Sequence, residues 1–189
     1  MNTFFININK QFLQSRIGDM SQVAGLKRYS FTEGKAKGIE AIDVKTGSGL
    51  SFTVLPGRGM DIAWADFKGI PLSYISKAEI VSTEYYELGH QEWLLTFFVG
   101  LHTTCGLSNV GGPFIEEHPL LGDHHHGLNG KISNTAAHHV CMAHHGKNFP
   151  DLDQRRGHVH CFSGTVGFNG YGESVVPYTI QSFGGSVRL

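Results

Sequence analysis

The sequence predicts a mainly β fold, an antiparallel β-sandwich, and three observations carry that prediction. The first is composition. The chain has 189 residues, 25 of them glycine, nearly twice the roughly 7% of average usage. Charged residues make up 16%, against about 25% in a typical domain. Much glycine with little charge argues for many turns and against a helical bundle or coiled coil. The second is a series of short runs that alternate apolar and polar residues between Gly38 and Ile75. The third is the turn chemistry that separates those runs. A chain of this length suits one domain and buries a sizeable core without staples.

The elements follow in order. Residues 1–25 are mixed, with Phe12, Ile17 and Met20 spaced for a short amphipathic helix. Gly38–Lys45 reads as a strand, Thr46-Gly-Ser-Gly49 as a turn, and Leu50–Leu55 as a period-2 strand that closes a hairpin. Pro56-Gly-Arg-Gly59 breaks it. Asp61–Phe67 alternates again, Lys68-Gly69 turns, and Ile70–Ile75 follows. Glu84–Phe98 is the one helix candidate, since Trp93, Leu94, Phe97 and Phe98 share a helical face; a loop ending in a buried strand is the other reading. Leu101–Leu107 reads as a strand, and Ser108–Gly130 as a long loop over the sheet. Val140–Met142, His158–Val166 and Ser174–Ser182 are further strands.

Charge and termini restrict the partners. Fifteen basic residues against sixteen acidic ones give a net charge of −1, which offers no basic face for nucleic acid. No run approaches the ~18 apolar residues of a membrane helix, so neither nucleic acid nor membrane is expected as a partner. Three widely spaced cysteines, with no CxxC pair, fit a reducing, cytoplasmic setting.

Three segments carry chemistry. Leu55-Pro-Gly-Arg-Gly-Met-Asp-Ile62 sets a five-donor guanidinium, Arg58, between two glycines, with Asp61 three residues on. A planar fork of this kind orients hydroxyls or carboxylates; equally, Arg58 and Asp61 read as an ion pair fixing a hairpin corner. Gly100–Pro113 offers small polar groups at Thr103, Thr104, Ser108 and Asn109. Cys105 has no cationic sequence neighbour to lower its pKa and reads as a small buried thiol. Asp123-His-His-His-Gly-Leu-Asn-Gly-Lys-Ile-Ser-Asn134 places His124 and His126 on one face of an extended strand, with His118 within reach of a loop. Eleven of the 12 histidines fall between His102 and His160. No HEXXH spacing exists, and no dedicated metal site or cofactor is expected.

In this order, LPGRGMDI, GHQEWLLTFFVGLHTTCGLSNVGGP and HHHGLNGKISNTAA resemble the aldose 1-epimerase-like proteins, an uncharacterised family of the galactose-mutarotase-like superfamily. The resemblance covers residues 31–137. It lapses over the His-rich residues 138–170 and returns as an echo at Tyr171–Ser182. It implies a β-supersandwich that binds a small carbohydrate and interconverts its anomers by acid–base chemistry without a metal. Arg58, Asp61, Asn109, Asn129, Lys131 and Asn134 then orient hydroxyls, and His126 is the candidate acid. Where the family reads His-Gly-Arg, this chain has Asn129-Gly-Lys131, and His102 stands where an aliphatic residue is expected. Mutarotase-like chains run longer, so the resemblance implies a partial domain over residues 1–189, without the usual base, and with open sheet edges available for self-association. Two alternatives stand beside the isomerase: a noncatalytic carbohydrate-binding protein, and a His-dependent metal-binding β-protein.

Overall fold

The computed structural model describes residues 15–47, 49–87, 91–117, 119–120, 122–144, 159–170, 172–183 and 186–188. Phe12 of the expected N-terminal helix, and His118, His145 and His158, lie outside these residues.

The first sheet is a five-stranded antiparallel meander in the order β1–β2–β3–β4–β5. Its strands are β1 (Gly25–Ser30), β2 (Glu40–Lys45), β3 (Leu50–Leu55), β4 (Asp61–Phe67) and β5 (Ile70–Pro71). Two small ribbons follow: β6 (Tyr74–Ile75) pairs with β7 (Val99–Gly100), and β8 (Phe114–Glu116) with β9 (His124–His126). A second antiparallel sheet runs β10 (Ala137–His144), β11 (Val159–Gly170), β12 (Gly172–Phe183) and β13 (Ser186–Arg188). The remaining regular structure among the described residues is single 3-10 turns, with no α-helix.

Alternation along the strands explains the layering, because successive side chains point to opposite faces. Ile42, Val44, Phe52, Val54 and Ile62 form one buried cluster with Met60 and Ile132. Ala41, Leu55 and Ala63 join the other, with Ile39, Ile80 and Phe98. The first sheet is thus buried on both faces, and Ala137 at the start of the second sheet packs into the first cluster. In β4 the register shifts: Phe52 faces Ala65 and Val54 faces Ile62, so Ala63 and Trp64 share the span opposite Thr53. This bulge lets Ile62 and Ala65, three apart in sequence, enter the same core cluster.

Several sequence expectations change here. Residues 15–19 are not helical and Met20–Gln22 forms a 3-10 turn; the earlier part of the expected helix lies outside the described residues. Strand β1 precedes the β region that the pattern marks; its sequence GLKRYS has no clean period, and Lys27 and Arg28 are exposed. Ile70–Ile75 is two strands because the chain changes partner, from β4 to β7. The helix candidate Glu84–Phe98 contains 3-10 turns at Thr83–Tyr85 and Glu92–Thr96. Of the expected buried face, Trp93 and Phe98 are buried and Leu94 is exposed, and the Thr96 carbonyl is given to a side chain, that of Arg58. Leu101–Leu107 keeps one bridge, His102 to Ile62; the Thr104 N–H goes to a carboxylate instead of a strand. The long loop Ser108–Gly130 contains the β8–β9 hairpin.

Candidate functional site

The turn Pro56–Arg58 and the left-handed Gly59 (φ 61°) fold Arg58 back under the first sheet. A Cβ at Gly59 would run into the Ile132 carbonyl oxygen, so this backbone crossing requires glycine. Arg58 is 0% exposed, and all three of its nitrogens donate within the protein. Nε donates to Ser133 O at 2.9 Å, Nη1 to Val81 O at 2.6 Å, and Nη2 to Thr96 O and Ser133 Oγ at 3.0 Å each. The guanidinium lies 5.4 Å from the centre of the Phe98 ring.

Asp61, also 0% exposed, is equally occupied. Its Oδ1 accepts from the Thr104 N–H and hydroxyl at 2.7 Å each, and its Oδ2 accepts from Ser133 Oγ at 2.9 Å. Arg58 Nη2 stands 3.9 Å from Oδ2. Burial pushes the Asp61 carboxyl up from 3.8 to about 7, against the opposing pull of Arg58, Thr104 and Ser133. Burial also lowers Arg58, and Asp61 opposes that shift. The pair ties four separate segments to one point: 81, 96, 104 and 133. A ligand in solution does not reach either charge.

Asn109 and Asn129 join two loops. Asn109 Nδ2 donates to Gly127 O at 2.7 Å, and its Oδ1 accepts from Ser108 Oγ at 2.9 Å. Asn129 adopts φ 58°, a left-handed conformation in which Asn is enriched. Its side-chain oxygen accepts from Gly111 N–H at 3.0 Å. Its backbone closes two more bonds, to Gly111 O and from Gly106 N–H. A Cβ at Gly130 (φ 72°) would meet Gly106 O at 2.5 Å, which shows how closely the loops touch. Cys105 is exposed, which corrects the buried-thiol expectation: Thr104 turns inward to Asp61 and Gly106 is held by Asn129, so the residue between them faces out. Lys131 is exposed beside the turn Ile132–Asn134.

His126 sits on the β8–β9 hairpin. Its Nε2 is 3.0 Å from Glu116 Oε2. Its ring stacks on Phe114 at 4.4 Å and 12°, and meets His124 edge-on at 4.6 Å. The adjacent residue, Gly127, is the one pinned by Asn109. The structure therefore groups the seven candidates into three sets: Arg58 and Asp61 with the turn that Lys131 opens and Asn134 ends, Asn109 with Asn129, and His126, which pairs with Glu116 from outside the seven. His126 makes no hydrogen bond to any of the other six. Glu116 carries no signal in the sequence; only the hairpin register brings it to His126. Among the described residues no group of three His, Cys, Asp or Glu side chains is placed to hold a metal ion.

Among the described residues, five buried side-chain atoms have no hydrogen-bond partner: Glu92 Oε2, Trp93 Nε1, His102 Nδ1, and both amide atoms of Asn134. Asn134 is 4% exposed and Trp93 7%.

No helix among the described residues is long and apolar enough to cross a membrane. No curated protein matches the chain. Its structure is similar to the crystal structure of a Klebsiella pneumoniae protein provisionally assigned as an aldose 1-epimerase, with a TM-score of 0.67 and 20% sequence identity. The match covers 95% of this chain and 44% of the other, so this chain spans less than half the length of that relative. The likeness establishes the fold alone, an antiparallel β-sandwich like that of the relative. Residues 36–154 match the family model described as Domain of unknown function (DUF4432), and the chain belongs to that family.

Proposed function

We infer that the chain is a carbohydrate-binding protein of the aldose 1-epimerase type, acting by acid–base chemistry on a sugar or sugar derivative. The observation that carries this reading is the His126–Glu116 pair, held on a hairpin of the mutarotase-like fold. An ionised carboxylate only accepts, so Glu116 takes the Nε2 hydrogen of His126, and a second proton carried on Nδ1 is the one His126 delivers to the ligand, leaving the neutral ring behind. Anomer interconversion needs a proton delivered to the ring oxygen while the anomeric hydroxyl loses one; each positioned transfer contributes about 10²–10⁴-fold. His126 supplies the acid. Lys131 and Asn134 face the ligand. Asn109 pins Gly127 beside His126 and thereby positions it. Arg58 and Asp61 act through Ser133 as positioning residues for the Asn134 turn.

One observation favours a second reading, binding without catalysis. Both carboxylates bonded within the site groups are committed, Asp61 to Thr104 and Ser133 and Glu116 to His126. Neither is free to take the anomeric proton. Thermal-shift titration with hexoses and uronic acids, alongside anomer exchange followed by magnetisation-transfer NMR, separates the readings. Stabilisation with faster exchange supports the isomerase, and stabilisation alone supports the binding protein. If saturating sugars change neither, the carbohydrate reading fails.

A further inference from the structure

The two edges of the first sheet are built differently. At one edge, β1 exposes Lys27 and Arg28, and Arg28 reaches Glu40 at 3.7 Å. Charges of this kind guard an edge against other chains. At the other edge, short pieces of chain cover β4 along its length. Ile70 and Pro71 of β5 pair with Phe67 and Asp66. The Leu72 N–H donates to Ala65 O at 2.9 Å, and Ser73 Oγ accepts from the Ala65 N–H at 3.0 Å. The Leu101 N–H donates to Ile62 O at 2.8 Å, next to Gly100, which pairs with Tyr74. These bonds gather Phe67, Ile70, Leu72, Tyr74 and Leu101 along one rim, and each is between 38% and 67% exposed. From Gly69 to Ser76 the chain carries no charged residue.

We propose that this rim binds a second copy of the chain, rim to rim, as a two-fold dimer. Area is the first argument. The exposed parts of the five side chains amount to roughly 500 Å² of largely apolar surface. The largest patch on a typical monomer is about 300–600 Å² and is often functional. A standard interface covers about 800 Å² per partner, a little over half of it apolar, so the rim supplies the apolar share that one side of a stable dimer needs. Charge is the second argument. An uncharged rim offers an acidic or basic partner no complement, and with a net charge of −1 two copies scarcely repel each other. A two-fold axis sets the same patch on itself, apolar against apolar. Seating the rim on the β1 edge of another copy would instead bury Lys27 and Arg28 away from water, which is costly. Pro71 has no N–H to donate to a ladder across the interface, so the copies meet through side chains and not through a shared sheet.

Sedimentation equilibrium on the full chain across the micromolar range tests this. The expected mass is twice that of the 20.7 kDa chain, falling to that of one chain on dilution, with no larger species. Tyr74→Lys and Ile70→Lys each weaken the dimer at least tenfold and keep a cooperative thermal unfolding transition, because both side chains face solvent in the single chain. Tyr74→Ser and Ile70→Ser are the milder replacements if a lysine variant does not fold. Lys27→Glu, on the guarded edge, leaves the dimer as it is. A wild-type chain that stays monomeric across the range overturns the proposal. So does a dimer that the Tyr74 and Ile70 variants leave intact, and so does an assembly that grows beyond two copies. None of these outcomes depends on sugar binding, so the dimer and the carbohydrate reading stand or fall separately.

Discussion

Two charge pairs in this protein have similar chemistry and opposite surroundings. Arg58 and Asp61 are sealed, 1% and 0% exposed at their side chains, and knit four segments of chain. His126 and Glu116 sit on a two-stranded ribbon, 11% and 62% exposed, and hold only each other and two neighbouring rings. Net stability does not come from the buried pair as such, since removing two charges from water costs about what their attraction returns. Each fully buried Leu, Ile or Phe around it, such as Leu55, Ile42 and Phe98, contributes about 1.5–3 kcal/mol. What the buried pair supplies is a fixed meeting point for loops. The ribbon pair supplies a group that can trade protons with a visitor. Burial, not residue type, separates scaffold from chemistry.

The sharpest way to break this contrast is to remove one buried partner. Asp61→Ala leaves an uncompensated guanidinium and should cost about 3–5 kcal/mol, read from urea unfolding. A loss under 1 kcal/mol would show that the pair is not what joins the segments. Next in size is Gly59→Ala, which puts a Cβ into the Ile132 carbonyl at a left-handed φ of 61°. Overpacking of this kind costs about 1–3 kcal/mol, and the same unfolding curves report it.

A smaller effect appears with pH. Asp61 keeps its proton to about 7 in the folded protein, against 3.8 for an ordinary carboxyl. The native state therefore binds more protons than the unfolded chain across that window. This contribution to stability is complete below the lower value and is lost as pH rises through about 7. Melting temperatures across the window should fall more steeply for the wild type than for Asp61→Asn; parallel curves would remove Asp61 from the account. Smallest of all is Glu116→Gln. Its carboxylate is 62% exposed, and such a pair is worth about 1 kcal/mol or less, so stability should barely move while anomer exchange slows.

The same contrast explains what the sequence could and could not reveal. Period-2 runs at Leu50–Leu55 and Asp61–Phe67 announced the first sheet, because apolar burial on two faces leaves its mark on every second residue. Arg58 and Asp61 stood out by their glycine-flanked turn, and the alternative of an ion pair at a hairpin corner is the role their bonds describe. Their spans to residues 81, 96, 104 and 133 were invisible, since loop contacts obey no period. Glu116 carries no pattern for the same reason: its partner lies ten residues away across a hairpin whose sequence resembles a loop. The orphaned atoms of Glu92, His102 and Asn134 are absences of contact, which no sequence pattern encodes. The helical spacing at Trp93–Phe98 misleads because Leu94 is exposed and the Thr96 carbonyl turns to serve Arg58.

The most direct test compares wild type with His126→Asn for sugar anomer exchange by magnetisation-transfer NMR, with melting temperatures measured in parallel. The account predicts faster exchange with the wild type, loss of at least a hundredfold of that acceleration in the variant, and melting temperatures within a few degrees of each other. Unchanged exchange in His126→Asn, or collapse of its fold, would place His126 with the scaffold and contradict the division drawn here.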